Sequence, residues 1–470
     1  MATIPTIDID FKQLATSLIT RSERGTAVLF LKDDTLAKGI SWRSDVISNK
    51  LKATATGDVS TTETVTVTNV KYTKPVFIED DGMITFSLPA DADVTIIGSA
   101  HTGASNVTIN VDNTELALAS NKYTTKLQAG KHTITAGSGD AWVYAIEAKC
   151  TGVNTQVYKN ITDIDEDMYS DANLKHIKKC LNYAPYEVVV ISNNTATLAN
   201  YTKALMNIRS TGWIASPEIS IQADLASWIK SQESEGNTYK AVGTVSGKDC
   251  KQYVYFNQTS TDNDGNKLSA VEYLPSLVGI IASCNINRGC TNFECTDLND
   301  VADVADVADV GTAVGNGQLV LANDIGGVKI VAGINSLVTL NGNTATEDMQ
   351  YIETVEAMHL IKDDIKNVFK NTYQGKFKNK YNYQMLLIGA INQYLSSLED
   401  EDILDNEFDN IAEIDVDAQR KAWIGAGKSE AEEWSENKVK TMAYKRTVFV
   451  KGNIKILNCM ENLKFTITLV

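Results

Sequence analysis

Residues 462–470 read N-L-K-F-T-I-T-L-V. Leu463, Phe465, Ile467 and Leu469 fall on one face of an extended chain, and Lys464, Thr466 and Thr468 on the other. That period of two marks a half-buried β-strand. A strand in this position has no following segment to close a hairpin, and terminal segments fray unless something ties them down. The other end shows the same pattern. Ile7, Ile9 and Phe11 alternate with Asp8, Asp10 and Lys12, behind a Pro5 that suits a strand start or an edge. What pairs with these two strands decides how the chain is built.

Between them lie three textures. A-V-L-F-L-K (27–32) is a continuous apolar run, as in a strand covered on both faces. From 49 to 155, short alternating runs such as T-V-T-V, M-I-T-F-S-L, N-V-T-I-N-V and W-V-Y-A-I-E-A-K are separated by Gly, Asn, Asp and Pro. Regular short strands with turn signals predict an inserted all-β sandwich. Beyond 156, helical and extended patterns alternate: Leu174, Ile177 and Leu181 share a helix face, and Y-E-V-V-V-I-S follows as a strand. Such alternation predicts an α/β layer. A hairpin is expected within 317–340, turning at Asn323-Asp324 and Gly326-Gly327. Two amphipathic helices are expected at 348–372 and 380–398. Residues 399–417 carry ten acids around spaced apolar residues, which reads as an acidic face on a packed segment. V-A-D-V-A-D-V-A-D-V (301–310) matches no regular period and is expected as an acidic loop or short helix.

The net charge of −16 disfavours sequence-independent binding of nucleic acid, which needs cations against phosphates. No apolar run reaches the ~20 residues of a membrane span, and the N-terminal residues lack a signal-peptide pattern. The seven cysteines include no C-x-x-C pair, so reduced, buried thiols are expected rather than a metal site.

Motifs for catalysis are weak. I-G-A-G-K-S (424–429) lacks the first glycine of a phosphate loop, with Ala422 in its place, and glutamates follow at once. S-T-D-N-D-G (260–265) lacks the first aspartate and the last glutamate of a calcium loop. The four histidines form no recognised catalytic or metal motif. The residues thus point to no enzyme, cofactor or metal. Trp142 and Tyr144, at i and i+2 near the end of the sandwich, are either core or a stacking surface for a sugar. The latter would make the chain a glycan-binding or adhesive surface protein.

Four segments carry a family resemblance. V-F-V-K-G-N-I-K-I-L-N-C-M-E-N-L-K-F-T-I-T (448–468) resembles the C-terminus of contractile-tail sheath proteins, with N-C-M-E where D-A-M-E is usual. G-V-K-I-V-A-G-I-N-S-L (327–337) is similar to that family's R-x-x-N-S-L hairpin, with Ala332 at the basic position. H-L-I-K-D-D-I-K-N-V-F-K-N-T-Y-Q-G-K-F-K-N (359–379) is similar to its helix and Y-x-G-K turn, and P-T-I-D-I-D-F-K (5–12) to its N-terminal arm.

The resemblance implies an α/β (α+β) sheath core at 21–48 and 156–340, an N-terminal β-arm at 1–20, and a C-terminal α+β domain at 341–445 with closing strands at 446–470. The 49–155 sandwich would be an outward-facing insertion. Ile7, Ile9, Phe11, Leu463, Phe465, Ile467 and Leu469 would join sheets of neighbouring subunits by strand addition. The implied partners are further sheath subunits in stacked, hexameric rings, a tail tube protein, and baseplate and terminator proteins, with no direct nucleic-acid contact and no membrane insertion. The implied setting is a virion tail or tail-like particle assembled in a bacterial cytoplasm.

Overall fold

The computed structural model describes residues 19, 21–79, 82–101, 107–284, 286–304 and 309–468. The N-terminal strand residues Ile7, Ile9 and Phe11, and Leu469, lie outside them. The chain forms two compact units. One comprises 25–284 and 290–346; the other comprises the residues up to 24, 285–289 and 347 onward.

The larger unit is built on a six-stranded sheet. Its spatial order is Asn154–Tyr158, Glu187–Asn193, Thr26–Lys32, Trp213–Ala215, Lys240–Gly243 and Tyr253–Tyr255. All pairings are parallel except the first. Ala27 to Leu31 are all buried, as the unbroken apolar run predicts. On one face Val28, Phe30, Val189, Ile191 and Ile214 pack against Tyr201, Leu205, Leu225 and Ile229 of two helices. Two further helices, Asp171–Leu181 and Ala270–Ser283, pack on each other. A Cβ at Gly279 would lie 2.5 Å from the Cys180 carbonyl oxygen, so that close approach requires glycine. The N-S-L motif serves this layer: Ser336 donates from its backbone to Tyr253 O (2.8 Å) and from its hydroxyl to Cys250 O (3.1 Å). The hairpin Leu321–Asp324/Gly327–Ile330 forms as expected, with Gly326 and Gly327 at positive φ.

The β-rich segment is a two-sheet sandwich. Five strands order as Thr114–Ala117, Thr108–Val111, Gly130–Ala136, Met83–Leu88 and Ala53–Ala55; the facing sheet runs Lys122–Leu127, Ala92–Ala100, Ala141–Cys150 and Ile40–Arg43. Ile84, Phe86, Ile96, Ile109, Ile134 and Ile146 fill the space between them. The sandwich therefore begins at Ile40, where the sequence placed sheath core up to residue 48. I-S-W-R alternates, and its inward residues Ile40 and Trp42 join the sandwich core. Its partner, Ala141–Cys150, lies a hundred residues on.

Asp33, just past the central strand, ties the layers together. Its carboxylate accepts from the Ser170 backbone (2.9 Å), the Ser170 hydroxyl (3.1 Å) and the Asn173 amide (2.8 Å), while Ser170 caps the Asp171–Leu181 helix. Burial alone would raise this carboxyl, but the hydrogen bonds from Asn173, Ser170 and Thr35 outweigh it and hold the group below its usual value. A depressed carboxyl adds stability above its unfolded value and loses it as pH falls through the folded one. Asp33→Ala should cost about 1–3 kcal/mol at pH 7, through stranded donors. In urea melts the gap from wild type should narrow below about pH 4. A gap constant down to pH 3 would contradict the assignment.

Candidate assembly site

The smaller unit is organised by two helices, Ile352–Val368 and Tyr381–Asp400, close to the two amphipathic stretches read from sequence. Leu360, Leu387, Ile391, Leu395 and Leu398 form their common core with Ile403, Leu404 and Ala412. Beside them lies a sheet of only two strands, Ile411–Ile414 and Val450–Asn453. They are antiparallel, with Ala412 opposite Gly452 and Glu413 opposite Lys451.

The two edges of this ribbon differ. On the first strand, the Ala412 N–H donates to Asn392 Oδ1 (2.7 Å) and its C=O accepts from Asn392 Nδ2 (3.1 Å). One side-chain amide from the Tyr381–Asp400 helix thus closes that edge. Since Ala412 turns its polar groups outward, antiparallel geometry makes its partner Gly452 do the same on the far side. There no side chain closes the ladder among the described residues. Next to it runs an open apolar groove of about 460 Å³, lined by Ile361, Ile365, Phe369, Leu387, Val448 and Ile454 among others. A free strand edge beside an apolar trough is a template for an added strand.

Both arm roots are fixed to this same unit. Arg21 pairs with Glu401 (2.5 Å), the Ser22 backbone donates to Asp364 (3.2 Å), and Arg24 reaches Asp363 (3.2 Å) and the His359 carbonyl (3.1 Å). At the other end, Ile456 bridges to Leu404, Asn458 Oδ1 accepts from Thr354, and the Cys459 backbone donates to Glu353 (2.9 Å). Burial, followed by the hydrogen bond to Glu353, pushes the Cys459 thiol up from its ordinary value. Asn458 and Cys459 of the N-C-M-E tetrad thus anchor the chain, Glu461 still lies close to Tyr351, and Met460 is fully exposed. Beyond it, Leu463 is 91% exposed, Phe465 76% and Ile467 68%, with no strand partner among the described residues. Three large apolar side chains exposed together on an unpaired segment mark a surface that favours burial against a partner.

The aromatic pair divides. Tyr144 is 1% exposed and packs with Val65, Val67, Tyr72 and Ile97 under the hairpin Thr64–Val67/Val70–Thr73, its hydroxyl 3.2 Å from Ser99. Trp142 is half-buried against Phe77 and His101, at 4.7 and 5.6 Å between ring centroids. Both rings nonetheless lie on the same face of the strand, since Trp142 packs against the cluster that contains Tyr144, and the register shift between Val143 and Ala145 falls beyond Trp142.

The remaining motifs find structural roles. I-G-A-G-K-S sits at the C-terminal end of the helix Val416–Gly425, where carbonyls face outward and a phosphate is disfavoured. Asp262 of the calcium-like loop accepts from the backbones of Asp264 and Asn266 within its own turn. Among the described residues no three His, Cys, Asp or Glu side chains converge as a metal site, and no helix is long and apolar enough to cross a membrane.

Residues 344–469 match the family model of the phage tail sheath C-terminal domain, and residues 44–146 that of carbohydrate binding module 77. The chain is 27% identical over 342 residues to the tail sheath protein of Clostridium phage phiCD119, covering 70% of this chain and 93% of that one. Two solved sheath tail proteins are similar. That from Listeria innocua has 14% identity and a TM-score of 0.46, with 93% and 96% of the chains covered. That from Desulfitobacterium hafniense has 13% identity and a TM-score of 0.45, with 87% and 94% covered. The C-terminal part of the chain is thus similar to the phage tail sheath C-terminal domain, and 70% of the chain is similar to a tail sheath protein of a phage.

Asn392→Leu removes both bonds to Ala412 and strands two main-chain groups. It should cost about 1–3 kcal/mol in urea unfolding. Unchanged stability would show that the first edge is not closed as described.

Proposed function

We propose that this chain polymerises as stacked, hexameric rings around a tail tube, joined by exchanged strands, and contracts to drive the tube through a bacterial envelope. Leu463, Phe465 and Ile467 of one copy, continued by Leu469, lie along the open Val450–Asn453 edge of another. The N-terminal Ile7, Ile9 and Phe11 add a second donated strand. The observation that carries the reading is the pairing of opposites in one unit: among the described residues, an exposed segment of alternating apolar residues without a sheet and a sheet edge without a strand. Main-chain bonds net about 1 kcal/mol each, and each buried side chain contributes about 1.5–3 kcal/mol. Arms anchored at Arg24 and Cys459 keep bodies linked while these rotate into a denser lattice. Contraction then draws on the difference in buried interface, with no nucleotide required. Assembly in the host cytoplasm, and contacts with tube, baseplate and terminator proteins, belong to the same proposal.

A second reading concerns the sandwich alone. Its match to a carbohydrate binding module supports glycan binding by 44–146. Nearly all of the phage relative is matched while three tenths of this chain is not, as would follow if the relative lacks this module.

Removing residues 463–470 should leave a folded monomer, by circular dichroism and sedimentation, that forms no tubes in electron micrographs. Long tubes from the truncated chain would contradict the joint. Full-length protein on a glycan array should bind at least one polysaccharide, and binding should vanish when 44–146 is excised. A blank array would remove the second reading and leave the first intact.

A further inference from the structure

The Tyr381–Asp400 helix carries its flanking charges the wrong way round. A helix favours acids at its N-terminus and bases at its C-terminus. Here the first turn has no acid, the last turn has no base, and Lys380 occupies the N-cap without a side-chain cap. Lys376, Lys378 and Lys380 precede the helix and are exposed. Asn379 binds the carbonyls of Tyr444, Lys445 and Thr447, which brings exposed Lys445 and Arg446 alongside. Lys380 lies over Tyr383 (4.5 Å) and Lys445 over Tyr444 (5.2 Å). At the far end, Asp400, Asp402, Glu407 and Asp409 are exposed. Among the described residues, none of these nine side chains makes an ion pair.

Twenty helical residues separate the two groups by about 30 Å. Physiological salt screens charges beyond about 8 Å, so the ends of one helix cannot neutralise each other. Each cluster is repelled by its own helix end; among the described residues Lys455 attracts Glu407, but no ion pair satisfies either cluster. A second copy can supply ion-pair partners to both.

We propose that the basic end of this helix, with Lys378, Lys380, Lys445 and Arg446, docks on the acidic end, with Asp400, Glu407 and Asp409, of the same helix in a second copy. The contact is head to tail, which generates rings or filaments rather than closed pairs. It rests on the self-assembly proposed above and adds to it a charge-coded surface distinct from the strand exchange.

The test uses full-length chains whose assembly is followed by light scattering and electron microscopy. One variant carries Lys378→Glu, Lys380→Glu and Lys445→Glu; the other carries Asp400→Lys, Glu407→Lys and Asp409→Lys. Each alone should assemble about tenfold or more slowly at low salt, the scale of electrostatic steering. An equimolar mixture should recover the wild-type rate, because each variant then meets its complement. The glutamate variant should melt no lower than wild type, since its new charges suit the helix end. Unimpaired assembly of either variant, or a mixture as slow as its components, would overturn the proposal. Wild-type chains that stay monomeric would overturn the assembly reading, and this contact with it.

Discussion

A strand edge and an apolar strand, both left unsatisfied in the same unit, set the terms for everything else. Among the described residues the outward groups of Gly452 have no ladder to enter, and Leu463, Phe465 and Ile467 have no sheet to cover them. Exposed edges invite uncontrolled pairing. Asn392 limits the hazard by satisfying Ala412 on one edge, and the proposed strand addition uses the other. Asn458 and Cys459 anchor the chain to the Ile352–Val368 helix, and the residues after them leave Leu463, Phe465 and Ile467 exposed. The proposed intermolecular joint rests on this pinning of the chain at Asn458 and Cys459.

The sandwich obeys a different constraint. It enters between the central strand Thr26–Lys32 and the edge strand Asn154–Tyr158, and its first and last strands, Ile40–Arg43 and Ala141–Cys150, pair with each other. Entry and exit are therefore close, so a hundred residues can be inserted without breaking the six-stranded sheet. Asp33 and Asn193 stitch the junction: the Asp33 backbone donates to Asn193 O, and the Asn193 amide donates to Gly152 O. The core of the module is its own, built from residues of both its sheets.

Local pattern made much of this legible. The unbroken A-V-L-F-L-K run marks a strand covered on both faces, and the Asn323–Gly327 turn closes its hairpin. The alternation in N-L-K-F-T-I-T-L-V marks an apolar face whose partner has to be sought elsewhere. What stayed hidden depends on contacts between distant residues. Ile40–Arg43 reads as core because four residues cannot announce a partner a hundred positions away. Tyr144 and Trp142 look equivalent until the hairpin Thr64–Val67/Val70–Thr73 buries the first and leaves the second half-buried. The accepting edge was out of reach, because its openness depends on Asn392, Ala412 and Gly452 meeting in space. The grip of Glu353 on Cys459 spans 106 residues and has no local signal.

The most direct measurement is a cryo-electron microscopy map of assembled particles, at a resolution that traces the chain from Cys459 to its end. The account predicts that 463–467 runs hydrogen-bonded along 450–453 of a different copy, with Phe465 seated in that copy's apolar groove. Density that returns these residues to the sheet of their own chain, in an otherwise intact particle, would contradict it.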